Sequence, residues 1–322
     1  MQTPFKGHGI YIWQLAKDRV SGPFLPESLD GMAYIKEFMQ YMNLDYAMPK
    51  VGSGLLNFEA GVIRGAPTER QLHTFFDQMT AIGKPRIGWH YNYLADPASE
   101  ARVAANLIYK FRLDGYVLDM EAEVKTAGYT KTRVFMGELK NRMPDIPLAL
   151  SSYRFPTVHR EFPWGAVLDS LFESKGDVHM PQVYWVGDST PDGGANQLIR
   201  SYKELNALRR LPVIPTGPFY SQTVNLKRWS PTEYQALKFA EVARSLGCPG
   251  INWWSWDNLY ITDVKGQPPG VHPQGYYPTL HKIGAYWKPI NEPPTTPELS
   301  MEEKIAILWR EAGDRAWDLT KK

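Results

Sequence analysis

The sequence predicts an α/β fold, a closed (β/α)8 barrel of the TIM type, from three observations. Eight short apolar runs alternate with stretches of helical periodicity, which is the count and order of such a barrel. The chain has 322 residues, a length that these barrels reach as a single domain. The rival fold, an open doubly wound sheet, more often carries a glycine-rich phosphate-binding turn after its first strand, and none follows residues 7–15. We therefore expect the barrel.

Strands are predicted where apolar residues run without a helical period. In chain order they cover residues 7–15, 45–52, 84–94, 114–123, 146–155, 177–187, 211–220 and 249–259. Helices are predicted where apolar residues recur every three or four positions, as Met32, Ile35 and Met39 do within 28–43. The other helices cover residues 68–84, 98–113, 130–143, 160–175, 195–210, 230–247 and 279–287. This alternation predicts a barrel domain over residues 1–288.

The composition of the chain changes after the barrel. Residues 289–299 are rich in proline and lack an apolar period, which predicts a linker. Residues 300–322 are predicted to form a C-terminal amphipathic helix, because Ser300 and Glu303 make a capping-box pattern ahead of an apolar stripe. Two uses of this helix stay open: packing on the barrel, or oligomerisation and tethering.

Bulk composition argues against several classes of partner. Hydrophobic residues make up 43% of the chain and charged residues 22%, which is ordinary for a globular protein. The net charge of +2 suggests neither a nucleic acid nor an anionic membrane as partner. No apolar run is long enough to cross a membrane, and the first residues do not resemble a signal peptide. We expect synthesis in the cytoplasm, with release to the cell wall by lysis as one route to a substrate.

Motifs for cofactors, metals and nucleophilic catalysis are absent from the sequence. It contains neither a GxGxxG nor a Walker pattern, so no cofactor is expected. The GxSxG, HxH and HExxH patterns are also missing, and the single cysteine, Cys248, excludes a disulfide within the chain. His90 and His179 could join acids in a metal site, but hydrogen bonding is the favoured role for both. We expect no metal.

The segment DGYVLDMEAE at residues 114–123 begins as a buried strand and ends in acids. The two-residue period of a strand places Asp119, Glu121 and Glu123 on the face that carries Val117, towards the barrel axis and the carboxyl-terminal mouth. Because two carboxyl groups this close do not ionise independently, one should hold a proton near neutral pH, as general acid–base catalysis requires. Two alternatives stay open: ion pairs with lysine or arginine, and solvation of Glu123 on a loop.

Other predicted strand ends are polar and aromatic. Gln182 and Tyr184 share one face of the strand over 177–187, and Tyr153 points inward with Ser151 from the strand over 146–155. In the third strand either Trp89 with Tyr91 or His90 with Asn92 faces inward. In the eighth strand the inward set is one of two: Asn252, Trp254 and Trp256, or Trp253, Ser255 and Asp257. Aromatic faces stack on the C–H faces of sugar rings, so we expect a carbohydrate pocket, with Trp89, Tyr153, Gln182, Trp254, Asp257 and Glu123 as candidate substrate-binding residues.

Residues 114–121 resemble the DGxDxDxE signature of family 18 glycoside hydrolases, which include chitinases and endo-N-acetylglucosaminidases. The resemblance implies that Glu121 is the general acid and that Asp119 holds the N-acetyl group of the substrate. Gln182-Val183-Tyr184 is similar to the sixth-strand motif, which implies that Tyr184 supports the acetamide. GINWWSWD at residues 250–257 is similar to the eighth strand, whose tryptophan floors the pocket, a role that falls to Trp254.

The sequence departs from this family in two places and shares features with another. Val117 stands where the signature has its middle aspartate, and the third strand lacks the SxGG pattern. VLDMEAE also resembles the DxE strand of family 25 lysozymes, and Asp257-Asn258 is similar to their last strand. Their first-strand aspartate is missing, since that strand offers Gln14 instead.

The expected function is that of a retaining glycoside hydrolase acting on a polysaccharide that contains N-acetylhexosamine. Peptidoglycan, cleaved in the manner of a phage endolysin, stands slightly ahead of chitin. Two alternatives from other classes remain: a carbohydrate-binding barrel without turnover, motivated by Val117, and a phage structural or assembly component in which the C-terminal helix is the functional part.

Overall fold

The computed structural model describes residues 3–13, 15, 36, 39–57, 67–171, 176–259 and 276–287. The strands of this part of the chain are β1 (Gly7–Ile12), β2 (Tyr46–Ser53), β3 (Leu56–Asn57), β4 (Ile87–Asn92), β5 (Gly115–Met120), β6 (Leu148–Tyr153), β7 (Val178–Gln182), β8 (Thr216–Pro218), β9 (Gln222–Val224), β10 (Lys227–Trp229) and β11 (Gly250–Trp254). Eight of them pair in parallel in the order β1, β2, β4, β5, β6, β7, β8, β11, and β1 also pairs with β11. The sheet therefore closes into the predicted barrel.

Helices alternate with the strands, as the sequence predicts. Those described are α1 (Glu69–Ala81), α2 (Pro97–Phe111), α3 (Ala122–Arg142), α4 (Trp164–Leu171), α5 (Gly193–Leu208), α6 (Glu233–Ser245) and α7 (Tyr277–Trp287). Both α1 and α6 begin with a capping box, formed by Thr68 with Gln71 and by Thr232 with Gln235. No helix of the described ranges is long and apolar enough to span a membrane. The linker over 289–299, the helix over 300–322 and most of the predicted helix over 28–43 lie outside the described residues.

The barrel interior is an apolar cluster built from alternate residues of the strands. It joins these buried side chains: Phe5, Tyr11, Tyr46, Met48, Ile87, Trp89, Val117, Ala149, Val178, Met180 and Ile214. Tyr91 and Trp254 pack against it and are only partly buried. Val117 therefore fills an inward position in the middle of the barrel, as its strand period predicts. The inward residues that follow it on β5 come closer to the mouth.

Several predicted elements end or begin elsewhere in the structure, and three of these differences bear on the site. The strand predicted over 211–220 shrinks to β8, because Pro212, Pro215 and Pro218 lack the N–H that a central ladder needs. The strand predicted over 177–187 stops at Gln182, so Tyr184 lies beyond it. The helix predicted from residue 130 begins at Ala122 and includes a non-helical glycine at position 128, with a φ of 76°. Strand alternation therefore stops at Met120, and Glu123 belongs to the first turn of α3.

Candidate active site

Two carboxyl groups at the mouth of the barrel share one amide. Oδ1 of Asp119 accepts hydrogen bonds from Oγ of Ser151 at 3.0 Å and from Nε2 of Gln182 at 2.9 Å. The same Nε2 donates to Oε1 of Glu121 at 2.8 Å. Asp119 is the last inward residue of β5, while Gln182 ends β7. The structure therefore brings together three of the candidate site residues, Asp119, Glu121 and Gln182.

In this pair of acids, Asp119 has a strongly raised pKa. Burial of its side chain, and then the negative charge of Glu121, raise the pKa of Asp119 well above its ordinary value. Hydrogen bonds from Ser151 and Gln182 and the positive charge of Lys50 act in the opposite direction. The carboxyl group of Asp119 therefore holds its proton to a higher pH than an ordinary aspartate does.

A third acid reaches the mouth from the first turn of α3. Oε2 of Glu123 accepts a hydrogen bond of 2.6 Å from the hydroxyl group of Tyr91. Burial, followed by this hydrogen bond, raises the pKa of Tyr91, so the phenol stays neutral and donates. Glu123 is thus held by a tyrosine of β4, which differs from the strand position and from the solvated loop considered for it.

The inward face of β4, which the sequence leaves open, carries Trp89 and Tyr91. Trp89 belongs to the barrel cluster and Tyr91 packs against it. His90 and Asn92 are buried on the opposite face, where Nδ2 of Asn92 donates to Oε1 of Glu100 on α2 at 3.0 Å. Trp89 therefore lines the barrel interior, but it is only 2% exposed, so its ring lies below the open surface.

An aromatic group lies at the end of β11. The ring of Trp254, at the end of β11, is 5.4 Å from that of Trp89 and 5.5 Å from that of Tyr11. Asn252 shares its inward face and accepts a hydrogen bond from the hydroxyl group of Tyr46. The inward set of the eighth strand is therefore the one with Asn252 and Trp254. Because Trp254 is partly exposed, it can offer a ring face to a ligand.

Asp257 lies after β11, with its carboxylate turned to the main chain. Its Oδ2 accepts a hydrogen bond of 2.7 Å from the backbone N–H of Trp13, just past the end of β1. The residue is 4% exposed. This geometry ties two neighbouring strand ends together, and a contact of Asp257 with substrate stays a prediction.

Tyr153, at the end of β6, is enclosed by a polar group of residues on the rim. Its ring stacks on that of His159 at 3.8 Å, and Nζ of Lys125 lies 4.1 Å from its centroid. Lys125 is in turn 2.7 Å from Oε1 of Glu161. One face of Tyr153 is therefore occupied by protein, which limits stacking on a sugar to the other face.

Tyr184 is half-buried between the acids and the loop after β8. Its ring meets Tyr220 edge-on, with centroids 5.8 Å apart. Burial raises the pKa of Tyr184 most, and the charges of Asp119 and Glu121 raise it further. The hydroxyl group therefore stays protonated beside the two acids, where it can donate a hydrogen bond to a ligand.

Lys50 is a site residue that the sequence predictions missed. It comes from β2, is 9% exposed, and its Nζ lies 4.9 Å from the ring centroid of Trp89 and 5.5 Å from that of Tyr91. Burial lowers its pKa to about 8, while the charge of Asp119 acts against this fall. The signal available in the sequence was a single lysine in the predicted strand DYAMPKVG. Apart from the aspartate that begins this strand, its other residues are uncharged.

Arg154 adds a second positive charge at the rim. It follows Tyr153 directly, and its Nε is shielded from water without a hydrogen-bond acceptor among the described residues. Its guanidinium lies 5.0 Å from the ring of Phe155, and that of Arg200 lies 3.9 Å from the same ring. Burial lowers the pKa of Arg154, and Arg200 adds to the fall. The arginine stays charged, so this geometry favours an incoming anion.

Metal-ligating side chains do not gather in the described ranges. No group of three or more histidine, cysteine, aspartate and glutamate side chains there could hold an ion. His179, for example, has its Nε2 3.0 Å from the main-chain oxygen of Arg209. Burial lowers the pKa of His179 and of His90 to about 4.

Comparisons with known proteins find similarity in structure and none in sequence. No family model matches the chain, and no curated protein matches it. The catalytic domain of a chitinase from Pyrococcus furiosus superposes with a TM-score of 0.62 at 14% identity, covering 88% of this chain and 95% of that one. A putative α-L-fucosidase from Bacteroides thetaiotaomicron gives 0.59 at 11% identity, covering 88% and 94%.

The spore cortex-lytic enzyme SleL of Bacillus megaterium gives a TM-score of 0.52 at 9% identity, covering 79% of this chain and 71% of that one. Identities this low establish a shared fold. The chain therefore has the (β/α)8 barrel fold found in chitinase catalytic domains and in other glycoside hydrolases.

Proposed function

We propose that the protein is a glycoside hydrolase that cleaves a polysaccharide containing N-acetylhexosamine. The observation that carries the proposal is the pair Asp119 and Glu121, which accept hydrogen bonds from one Gln182 amide, in a barrel whose interior also carries the partly exposed ring of Trp254. Two carboxyl groups with one shared proton supply an acid and a base at one place, and an aromatic face positions a sugar.

The reaction would use the acetamide group of the substrate. Glu121 gives a proton to the leaving glycosidic oxygen while the acetamide carbonyl oxygen attacks the anomeric carbon. Asp119 accepts a hydrogen bond from the acetamide N–H, and Tyr184 donates one to its carbonyl oxygen. Water then attacks the anomeric carbon of the cyclic intermediate and gives a proton to Glu121, which acts as the base. This second displacement restores the protonated Glu121 and retains the configuration at the anomeric carbon.

The shared fold is compatible with this reaction and does not select the substrate. The similar structures include a chitinase, an enzyme described as cortex-lytic and a putative fucosidase. Enzymes with different named activities thus share this barrel fold, so the residues of the site must determine the substrate.

Arg154 favours peptidoglycan over chitin. Chitin is uncharged, whereas the muramic acid of peptidoglycan carries a lactyl group that ends in a carboxylate when no peptide is attached. A buried Nε without an acceptor among the described residues is costly unless an anion completes it. The rim position of Arg154 suits a substituent on a sugar next to the one at the acids. Access to the cell wall after lysis, as for an endolysin, remains part of this proposal.

The test compares wild type with Glu121→Gln on peptidoglycan and on chitooligosaccharides, with released reducing ends as the readout. Glu138→Gln is the matched control, because Glu138 pairs with Arg142 on the surface of α3. We expect Glu121→Gln to lower turnover by about 10²–10⁴-fold and the control to leave it unchanged. Equal turnover by Glu121→Gln and wild type would contradict the proposal.

A second candidate function is carbohydrate binding without turnover. Val117 favours it, because this residue packs in the barrel cluster where the resembling family has an aspartate. Binding of either polymer by wild type without release of reducing ends would support this candidate. Failure to bind both polymers would make the sugar proposal wrong, and an assembly role for the helix predicted over 300–322 would then come first.

A further inference from the structure

We propose that Tyr93 is a further sugar-binding residue of the site and that the buried Glu100 is the positioning residue that holds it there. The inference rests on the proposed hydrolase activity and extends the same site along the rim of the barrel. Its basis is the loop after β4, which a fully buried carboxylate fixes and which carries an exposed aromatic ring.

A line of three aromatic residues leads from the barrel interior to the surface. Trp89, Tyr91 and Tyr93 occupy alternate positions, so they follow the inward face of β4 and its continuation. Trp89 is 2% exposed, Tyr91 is partly buried and Tyr93 is 42% exposed. The rings of Tyr91 and Tyr93 meet edge-on, with centroids 5.2 Å apart. Tyr93 therefore lies at the carboxyl end of β4, where the next inward position reaches solvent.

Tyr91 connects the ring of Tyr93 to the acids. It pairs with Asp119 across β4 and β5, and its hydroxyl group donates the 2.6 Å hydrogen bond to Oε2 of Glu123. A saccharide chain that crosses the acids towards β4 would therefore meet Tyr93 next. The exposed ring can pack on the C–H groups of a pyranose, which is the chemistry that an N-acetylhexosamine polymer requires.

The loop that carries Tyr93 is fixed by Glu100 of α2. Oε1 of Glu100 accepts hydrogen bonds of 3.0 Å from Nδ2 of Asn92 and of 3.0 Å from the backbone N–H of Tyr93. Its Oε2 accepts one of 2.8 Å from the backbone N–H of Leu94. Donors from three consecutive residues thus meet one carboxylate, which sets the direction in which the chain leaves β4.

This loop position is maintained against two unfavourable contributions. Glu100 is 0% exposed, and no cation of the described ranges forms an ion pair with it, so N–H donors alone offset the loss of hydration. Leu94 has a φ of 56°, in the left-handed region that a leucine rarely adopts. Strain of this kind persists where the surrounding structure enforces it, and it clusters at ligand sites.

The turn between β2 and β3 supports the ring of Tyr93. The backbone N–H of Gly54 donates to the main-chain oxygen of Tyr91 at 2.8 Å, and the oxygen of Gly54 accepts a 2.9 Å hydrogen bond from Nε2 of His90. A Cβ atom at Gly54 would come within 2.7 Å of Cδ2 of Tyr93, so the ring packs directly on the glycine. Two chain segments therefore hold this ring before a ligand binds, which lowers the entropy lost on binding.

The first test measures binding and turnover of N-acetylglucosamine oligomers and of soluble glycan strands from peptidoglycan. Tyr93→Ala should raise KM about 3–10-fold, the factor that corresponds to one aromatic contact, with kcat nearly unchanged. Kd, measured in the Glu121→Gln background to keep the ligand intact, should rise by the same factor. Tyr93→Phe keeps the ring and should match wild type. Tyr109→Ala is the matched control, because Tyr109 is 83% exposed near the C-terminal end of α2, away from the mouth.

Glu100→Gln tests the positioning role. The amide keeps the shape of the side chain but replaces one acceptor with a donor that faces an N–H group, so the loop should shift. We expect Kd to rise as in Tyr93→Ala and the amides of Tyr93 and Leu94 to exchange hydrogen faster. The double variant should match the single variants, because both substitutions remove the same contact. Additive losses in Kd, or unchanged exchange, would overturn the role of Glu100.

The binding measurements separate this inference from the proposed function. Binding that depends on Tyr93, in a wild-type protein that releases no reducing ends, would support the sugar contact and contradict the hydrolase. Release of reducing ends with equal KM by wild type and Tyr93→Ala would overturn the inference and leave the hydrolase intact. Binding of neither kind of glycan would contradict both.

Discussion

Two buried aspartates near opposite ends of the barrel strands show how the same side chain can serve structure or chemistry. Asp177 lies just before β7, and its side chain is fully buried. Its Oδ2 is 3.0 Å from Nζ of Lys140, and its Oδ1 accepts a 2.7 Å hydrogen bond from the backbone N–H of Leu148. Asp119, at the mouth, has no ion-pair partner in contact with it in the described ranges and adjoins a second acid instead.

The difference lies in what neutralises the charge. Lys140 meets the charge of Asp177 directly, which is the structural ion pair that the sequence also allowed for the acids of β5. Asp119 receives hydroxyl and amide hydrogen bonds and the more distant charge of Lys50, so its pKa stays raised. A buried acid that is left incompletely neutralised costs stability and is therefore the better candidate for catalysis.

The largest effect that would separate the two aspartates is on activity. Asp119→Asn should lower turnover by about 10²–10⁴-fold, because the amide cannot accept the acetamide N–H as a charged group does. Asp177→Asn should leave turnover per folded molecule unchanged, since it lies at the other strand ends. Turnover assays normalised to folded protein by circular dichroism provide the measurement. Similar losses in both variants would remove the distinction.

The next largest effect is on stability, and here the substitution of Asp177 should have the larger effect. Asp177→Asn should lower the free energy of unfolding by about 3–5 kcal/mol, because it removes one charge of a pair in which the Asp177 side chain is fully buried and the Lys140 side chain is 11% exposed. Urea denaturation measures the change. Asp169→Asn is the control, because its pair with Arg209 is exposed and such pairs contribute about 0–1 kcal/mol. An effect of Asp177→Asn as small as that of the control would show that the buried pair contributes little.

A smaller, pH-dependent effect would sharpen the account of Asp119. Because burial and Glu121 raise its pKa in the folded state, the native protein binds this proton more tightly than the unfolded chain does. Its contribution to the free energy of unfolding is full at low pH and falls as pH rises towards the folded pKa, by about 1.4 kcal/mol per unit. Asp119→Asn lacks this loss, so the difference in Tm between the variant and wild type should grow with pH. A difference independent of pH would mean that the pKa is not raised.

The smallest effect concerns Glu123, the acid held by Tyr91. Tyr91→Phe removes a 2.6 Å hydrogen bond and should lower the free energy of unfolding by about 1.5 kcal/mol or less. We expect a rise in KM of a few fold with kcat nearly unchanged, because Glu123 then loses its fixed position beside the substrate. Steady-state kinetics tests this. A fall in kcat as large as that of Asp119→Asn would place Tyr91 and Glu123 in the chemical step itself.

The sequence by itself determined the barrel and the acidic face of β5. Eight apolar runs alternating with helices specify the barrel, because parallel strands buried on both faces need crossover helices. The two-residue period of a strand then fixes the inward direction of Val117 and Asp119. Both are local properties of the chain, so they can be read without knowledge of the neighbours. Local pattern was also sufficient to place Gln182 at the mouth.

Tertiary structure decided the features that depend on neighbouring strands. The inward face of β4 could not be chosen from sequence, since tryptophan, tyrosine, histidine and asparagine can all line a pocket, and the choice followed from packing against the barrel cluster. The raised pKa of Asp119 and the opposing effect of the Lys50 charge depend on residues of β2 and β5, which are separated by β4. Charge and burial act through space, so these properties appear only when the barrel closes.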